Sequence, residues 1–182
     1  METNGPEGAA QQQYLTYFLA EEEYGVNIQQ VKEIIEYTAI TKVPKVPRWI
    51  RGVINLRGNV VPVVDLAVRF GLEERPITKT TCIIIVEVQQ ETEKAVMGVI
   101  ADAVNQVIAL TAEEIEEPPA FGTRVRLEYL AGMGKLGKKF ALILNIDRVL
   151  STAELLTVTG LQTELANSGA EVTQETAVAP DA

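Results

Sequence analysis

The most informative part of this 182-residue chain runs from Val53 to Leu66 and reads VINLRGNVVPVVDL. Two apolar runs flank the triplet Arg57-Gly58-Asn59, and glycine and asparagine both tolerate the positive φ angles of a tight turn. The pattern predicts a β-hairpin with Arg57 at its tip. A guanidinium held there offers five N–H donors in one plane, which suits recognition of a partner better than catalysis.

The composition restricts the chemistry open to this chain. It contains no histidine and one cysteine, Cys82, and its formal net charge is −9. Without histidine it lacks the commonest metal ligand and acid–base catalyst, and one thiol cannot build a cysteine zinc site. The negative charge argues against binding to a phosphate backbone. These features exclude histidine-dependent catalysis and a histidine or cysteine metal site, and no motif gives positive evidence for another active site; our expectation is no catalytic residue, no cofactor, no metal and no nucleic-acid partner.

Hydropathy indicates a soluble, cytoplasmic protein. No window reaches the 18 or so consecutive apolar residues typical of a membrane-spanning helix, and the N-terminus lacks the basic-then-apolar pattern of a signal peptide. Direct insertion into a membrane is not expected.

Short apolar runs separated by turn signals predict a mainly β fold of two small barrels. We expect a flexible tail at 1–12, a first barrel subdomain at 13–76 and a second at 77–146. A C-terminal helix at 147–161 is expected to pack on the first subdomain. Residues 162–182 carry acids, no basic residue and no apolar periodicity, which predicts a disordered acidic tail.

Some elements have more specific signals. The spacing of Ile28, Val31, Ile34 and Ile35 predicts a short amphipathic helix or helical turn. Asp65 is expected to cap a helical turn over Leu66–Phe70 that Gly71 ends. Pro62 predicts that its strand lies at a sheet edge or beside a bulge, and Val125–Leu130 is a further predicted strand.

One segment has the letters of a nucleotide-binding loop. Gly132 to Gly137 reads GMGKLG, matching G-x-G-x-x-G, but an apolar strand-like run, Phe140–Ile146, follows it. Phosphate-binding loops need a helix at that point. We interpret the segment as a flexible connection between strands and keep nucleotide binding as a less favoured alternative.

Three aspartates follow apolar strands, where both catalytic carboxylates and helix caps are common. They are Asp65, Asp102 and Asp147. No nucleophile, base or ligand cluster lies near any of them in sequence, so we predict capping roles.

Several ordered motifs resemble the CheW family of chemotaxis coupling proteins. The most specific is PRWIRGVINLRG at 47–58, continued by VVPVVDL at 60–66. Supporting motifs are EYGV at 23–26, VIADAV at 99–104 and YLAGMG at 129–134, so the similarity extends from about Gln13 to Leu156. The resemblance implies two SH3-like five-stranded barrels that share a hydrophobic seam, and a non-catalytic adaptor role.

The resemblance also implies partners and contact residues. Proteins of this family couple transmembrane methyl-accepting chemoreceptors to the histidine kinase CheA, so the chain would act at membrane-associated receptor arrays. The receptor helix tip would occupy the groove between the barrels, at positions matching Ile28, Val31, Glu33, Gly52, Arg57, Val104 and Val107. Contact with the kinase regulatory domain is expected near Glu116 and Phe121, although some relatives have an arginine at the position of Glu116. A related coupling role in another array, such as one for twitching motility, remains an alternative.

Overall fold

The computed structural model describes residues 10–90, 93–118 and 127–150, and the mainly β class is confirmed. The described strands are β1 (Gln11–Leu19), β2 (Glu22–Asn27), β3 (Val31–Glu36), β4 (Ile50–Leu56), β5 (Asn59–Val64), β6 (Cys82–Gln90), β7 (Glu93–Ala101), β8 (Ala103–Thr111), β9 (Ile115–Glu116), β10 (Leu130–Leu136) and β11 (Lys139–Leu144). The two short helices are α1 (Leu66–Arg69) and α2 (Ile146–Val149), and single 3-10 turns cover Ile28–Gln30, Ala112–Glu114 and Leu127–Tyr129.

The strands form two sheets whose membership crosses the expected division at residue 76. The five-stranded sheet has the order β3-β6-β7-β5-β4, and the six-stranded sheet has the order β8-β1-β2-β11-β10-β9. The sixth strand is the two-residue β9, which pairs with β10. Each sheet therefore combines strands from both blocks of the sequence, and neither block builds a sheet alone.

The chain is an internal structural duplication in which the first two strands of each half are exchanged. Half one runs from β1 to α1, and half two from β6 to α2. The β6–β7 pair of half two lies between β3 and β5 of half one, and the β1–β2 pair lies between β8 and β11 of half two. Corresponding pairings have the same direction: β5–β7 and β11–β2 are both parallel, whereas β3–β6 and β1–β8 are both antiparallel.

Three apolar clusters follow from this arrangement. One lies inside the five-stranded sheet around Ile54, Val63 and Ile85, and a second lies inside the six-stranded sheet around Tyr14 and Ile143. The third, which we call the shared core, takes side chains from both sheets and both helices. Its members include Tyr17, Tyr24, Val86, Met97, Leu66 and Ile146. Because the largest cluster joins the two sheets, they pack as one body.

The helix predicted over Ile28–Ile35 is wrong beyond one 3-10 turn. Residues from Val31 onward form β3, where alternate residues are more exposed, and β3 pairs with β6. Val31 and Ile35 lie on the less exposed face and Ile34 lies on the exposed one, so the helical spacing of the three does not describe one buried face. Their β-branched side chains favour the strand once a partner strand is available.

The Gly132–Gly137 segment is also not a loop, because residues up to Leu136 belong to β10. A two-residue turn, Gly137-Lys138, then leads into β11. Pro62 does not mark an edge strand, since β5 lies between β7 and β4, and the bulge lies on β4 between Ile50 and Gly52. The end of the strand predicted at Val125–Leu130 is a 3-10 turn, and 119–126 lie outside the described residues.

Other predictions near the helices and termini had mixed outcomes. Asp65 does cap α1, because its side chain accepts a hydrogen bond from the Val68 N–H (3.2 Å). At the N-terminus, Gln11 and Gln12 belong to β1 rather than to a tail. The remainder of the predicted C-terminal helix, 151–161, and the acidic tail lie outside the described residues.

Candidate partner-binding surface

The turn between β4 and β5 presents Arg57 to solvent. Arg57 (φ 54°) and Gly58 (φ 88°) both have positive φ, the combination of a two-residue type I′ hairpin. The Asn55 side chain accepts a hydrogen bond from the Gly58 N–H at 2.9 Å. The predicted hairpin is confirmed, but Asn59 begins β5 instead of serving as a turn residue. The Arg57 side chain is 69% exposed.

Arg57 forms a two-point ion pair with Glu33. Its Nη1 donates to Glu33 Oε2 at 2.5 Å and its Nη2 donates to Oε1 at 2.8 Å. The hydrogen bond from Arg57 lowers the pKa of the Glu33 carboxyl, and the same bond raises the pKa of the guanidinium. Glu33 lies on β3, and Arg57 directly follows β4. Strands β3 and β4 are the two edge strands of the five-stranded sheet. The pair therefore joins the open edges of that sheet.

A cavity of about 440 Å³ lies beside this ion pair. Its floor is apolar and its rim is charged. The lining residues are Lys32, Glu33, Leu56, Arg57, Asn59, Val61, Ile85, Glu93, Lys94, Ala95 and Val96. Of the residues predicted to contact the receptor, Glu33 and Arg57 therefore lie at a charged opening of the five-stranded sheet.

The apolar residues of the predicted receptor site lie along the shared core. Ile28, Val31 and Val104 are partly buried against it. Val107 is 49% exposed and pairs with Leu15, a member of the shared core. Since directly paired residues point to the same face of a sheet, Val107 extends this apolar surface to solvent.

Strand β3 connects the apolar part of the surface to the ion pair. A register shift between Val31 and Glu33 places Val31 opposite Val86 and Glu33 opposite Ile85. Val86 belongs to the shared core, whereas Ile85 belongs to the core of the five-stranded sheet. A single strand edge therefore presents an apolar group to the seam and a carboxylate to Arg57.

Gly52 differs from the other predicted contact residues because it is buried. A Cβ built on it would lie 2.1 Å from the Thr41 carbonyl oxygen. Thr41 and Val53 exchange backbone hydrogen bonds at 2.8 and 2.9 Å beside it. This geometry gives Gly52 a structural role in close backbone packing.

The predicted kinase-contact residues are only partly described. Glu116 lies on β9, and its Oε2 is 2.9 Å from the Lys135 ammonium of β10. This ion pair raises the pKa of Lys135. Phe121 lies outside the described residues.

The three aspartates are all engaged in backbone contacts. Asp102 accepts a hydrogen bond from the Ala20 N–H at 2.9 Å, and Asp147 accepts one from the Gln89 N–H at 2.9 Å. Asp102 thus ties the turn after β1 to the connection between β7 and β8, and Asp147 ties α2 to β6. Asp65 caps its own helix as predicted, but the capping role predicted for Asp147 is wrong, because Asn145 caps α2. Among the described residues, no group of three or more acidic, cysteine or histidine side chains could hold a metal ion.

The letters of the nucleotide-binding motif have a packing explanation. A Cβ on Gly132 would lie 2.3 Å from Ile115 Cγ2, and a Cβ on Gly134 would lie 2.5 Å from Leu110 Cδ1. The glycines therefore allow neighbouring side chains to approach β10. A second strand follows them, so the helix N-terminus that a phosphate-binding loop requires is not at this turn.

Sequence reasoning missed an aromatic stack around Arg69. Its guanidinium carbon lies 4.2 Å from the centre of the Trp49 ring and 5.4 Å from that of Tyr129. Arg69 Nη2 also donates a hydrogen bond to the Tyr129 hydroxyl at 2.8 Å. Trp49 and Tyr129 are equivalent in the two halves, because each precedes the bulged strand of its hairpin. No spacing in the sequence signals this contact, which depends on the packing of one half on the other.

Known proteins match most of the chain. Residues 13–154 match the family model described as CheW-like domain. The chain is 37% identical over 147 residues to chemotaxis protein CheW of Klebsiella aerogenes, a match covering 81% of this chain and 86% of that protein. It is 32% identical over 143 residues to chemotaxis protein CheW of Treponema pallidum, covering 79% and 84% respectively.

A solved structure gives the same result. The scaffolding protein TtCheW from Thermoanaerobacter tengcongensis has a TM-score of 0.70 and 36% identity, with 80% of this chain and 91% of that chain covered. None of the helices in the described ranges is long and apolar enough to cross a membrane.

Proposed function

Because the chain belongs to the CheW family, we propose that it is a non-catalytic scaffold coupling transmembrane chemoreceptors to the histidine kinase CheA in chemotaxis. The proposal fits a molecule whose distinctive features are surfaces. They are an exposed arginine held by a carboxylate, and an apolar seam between two sheets. We expect the protein to act in the cytoplasm at membrane-associated receptor arrays.

Receptor binding would use the seam and β3. An amphipathic receptor helix would place its apolar face on the exposed side of the shared core, around Ile28, Val31, Val104 and Val107, which is helix-in-groove recognition. Glu33 and Arg57 lie at the continuation of the same strand edge, so they would contact the polar flank of that helix. Gly52 would support this surface from within and would not touch the receptor.

The receptor proposal rests on the exposure of Arg57 and on its ion pair with Glu33. Glu33 engages two of its five N–H donors and leaves the side chain 69% exposed. The ion pair fixes the direction of the guanidinium, and its remaining donors are available to a receptor carboxylate or backbone carbonyl. A fixed donor loses less conformational entropy on binding than a free side chain does.

Kinase binding would use the other sheet, near Glu116 and Phe121. Glu116 pairs with Lys135 within the chain, so an ion pair to the kinase would require Glu116 to turn away from that lysine. A glutamate at position 116 gives this surface a negative charge where relatives with an arginine at that position have a positive one.

Co-sedimentation with receptor-containing membranes, with and without CheA, tests both contacts. Wild-type protein should sediment with receptors alone, and more of it should do so when CheA is added. Arg57→Glu should reduce receptor binding at least about tenfold, because arginine is enriched among the interface residues that contribute most to binding and the substitution reverses its charge. Lys32→Glu has the same charge change on the rim of the same cavity and is the matched control.

A charge swap separates receptor contact from closure of the sheet. The double variant Glu33→Arg with Arg57→Glu can form the ion pair again in reverse. We expect it to melt like wild type and still fail to bind receptor. Recovery of receptor binding by the swap would contradict the direct role of Arg57.

A further inference from the structure

The turn between β10 and β11 carries a cluster of positive charge on an acidic protein. We call residues 135–140, KLGKKF, the lysine hairpin. Its three lysines, Lys135, Lys138 and Lys139, are exposed, and Phe140 is 44% exposed. Exposed lysines beside an exposed aromatic residue form a surface suited to an acidic and partly apolar partner.

Most of this charge has no partner within the described part of the chain. Lys135 pairs with Glu116 at 2.9 Å. Lys138 and Lys139 form no ion pair with any described residue. The turn itself is well defined, because Gly137 has φ 64° and Leu136 pairs directly with Lys139 across it. The two lysines therefore extend from a fixed backbone.

The sequence supplies a segment of opposite charge. Residues 163–182 contain Glu164, Glu171, Glu175 and Asp181 and no lysine or arginine. Leu165 and Val172 lie among these acids and could cover the ring of Phe140. We propose that residues 163–182 bind the lysine hairpin of the same molecule, which shields it from acidic partners. The lysine hairpin adjoins the proposed kinase surface, because Lys135 pairs with Glu116, but the proposal does not rest on the coupling function.

The connection is long enough to allow this contact. The described chain ends just after α2, which follows β11, and the hairpin lies at the opposite end of β11, about 20 Å away for six strand residues. Residues 151–162 can span up to about 40 Å when extended. A tether of this length gives the acidic segment an effective concentration in the millimolar range at the hairpin.

Charge and geometry also predict how strong the contact is. Each exposed ion pair contributes little and is screened by salt. Several pairs on a tethered segment can nevertheless occupy the hairpin most of the time at low ionic strength, because association does not have to bring two molecules together. The contact is therefore reversible and open to competition by an acidic partner surface.

Paramagnetic relaxation in the full-length protein tests the proposal. A nitroxide is attached at Thr173→Cys, since the native thiol, Cys82, is buried. At about 0.01 M salt, where the Debye length is about 30 Å, the amide signals of residues 137–140 should lose most of their intensity. At about 1 M salt, where it is about 3 Å, they should recover.

Two charge variants of the labelled protein provide the control. Lys138→Gln with Lys139→Gln should abolish the broadening at low salt. Lys42→Gln with Lys45→Gln removes the same charge from exposed lysines elsewhere and should leave it unchanged. An equal loss of broadening in both double variants would overturn the proposal, because it would show an effect of net charge only.

A mixing experiment identifies the occupant. Protein that carries the nitroxide but no nitrogen-15 is mixed with protein that carries nitrogen-15 but no nitroxide. Any broadening of the observed signals must then come from another molecule. No broadening is expected. Broadening as strong as in the sample with both labels on one molecule would show that the hairpin binds a second copy. Unbroadened hairpin signals in both samples at low salt would show that the segment does not bind. Either result overturns the proposal.

Discussion

Gly52 and Gly132 occupy equivalent positions in the two halves of the chain, and both are required by close packing. Each follows the bulge of its own hairpin, at Ile50/Gly52 in β4–β5 and at Leu130/Gly132 in β10–β11. Their φ angles are 143° and 158°, in the region that favours glycine. At each site a neighbouring segment approaches the position that a Cβ would occupy.

Alanine at either glycine should destabilise the fold strongly. For Gly52→Ala we expect a loss of roughly 2–6 kcal/mol in the free energy of unfolding, combining backbone strain with steric overlap. Gly132→Ala should lose less, because its nearest contact is the Ile115 side chain at 2.3 Å and not a backbone carbonyl. Gly58→Ala is the control: its φ is 88° but its Cβ position is open, so about 1 kcal/mol is expected. Chemical denaturation measures all three, and equal losses at 52 and 58 would contradict the packing argument.

The exchanged strands predict that the halves fold only together. A chain cut between residues 76 and 77 should give two fragments that are unfolded separately, because each sheet needs strands from both. Mixing them should restore β circular dichroism and a single 1:1 species in size-exclusion chromatography. A fragment that folds cooperatively alone would show that one half contains a complete sheet.

Titration of Asp65 should make the stability depend on pH. Burial raises the pKa of the Asp65 carboxyl above its ordinary value of 3.8, although Val68 N–H and Arg51 oppose the shift. A carboxyl whose pKa is raised in the folded state binds more protons there than in the unfolded state. Its contribution to stability is therefore fully present below pH 3.8 and is lost as pH rises through the folded pKa. In denaturation from pH 3 upward, the stability of wild type relative to Asp65→Asn should fall with increasing pH; a constant difference would contradict the raised pKa.

The aromatic stack predicts a stability role for Arg69. We expect Arg69→Ala to cost about 2 kcal/mol, since it removes the guanidinium from both rings together with its hydrogen bond to the Tyr129 hydroxyl. Arg69→Met should cost less, because it keeps the stem and removes a buried Nε that has no hydrogen-bond partner among the described residues. Trp49 is the only tryptophan, so its fluorescence can follow unfolding directly. Arg48→Ala, at an exposed neighbour of Trp49, is the control, and an equal loss there would contradict a specific stack.

Features determined by neighbouring residues could be predicted from the sequence. The hairpin around Arg57 follows from two apolar runs and a turn glycine, and the Asp65 cap follows from a polar residue placed just before an apolar helical turn. Both depend on interactions within a few residues. The position of β3 was missed because Ile28, Val31, Ile34 and Ile35 have helical spacing, whereas in the strand Ile34 lies on the exposed face. Pairing with β6, a distant segment, decides for the strand.

Features that depend on distant residues could not be predicted in this way. The exchange of β1–β2 and β6–β7 between the halves depends on which strands pair, and the local pattern of each strand is compatible with several partners. The Glu33–Arg57 ion pair follows from this pairing, because it joins the two edges of a sheet that the sequence does not order. The charge of each residue was evident, but their proximity was not.

The parallel pairing of β2 with β11 has a consequence for synthesis in the cell. Translation releases β1 and β2 long before Leu144, the last residue of β11, so the nascent amino-terminal hairpin exposes apolar side chains while its partner does not yet exist. Pairings between such distant segments also form slowly. The six-stranded sheet can therefore be completed only after Leu144 has left the ribosome, and until then the amino-terminal hairpin carries exposed apolar surface of the kind that favours aggregation.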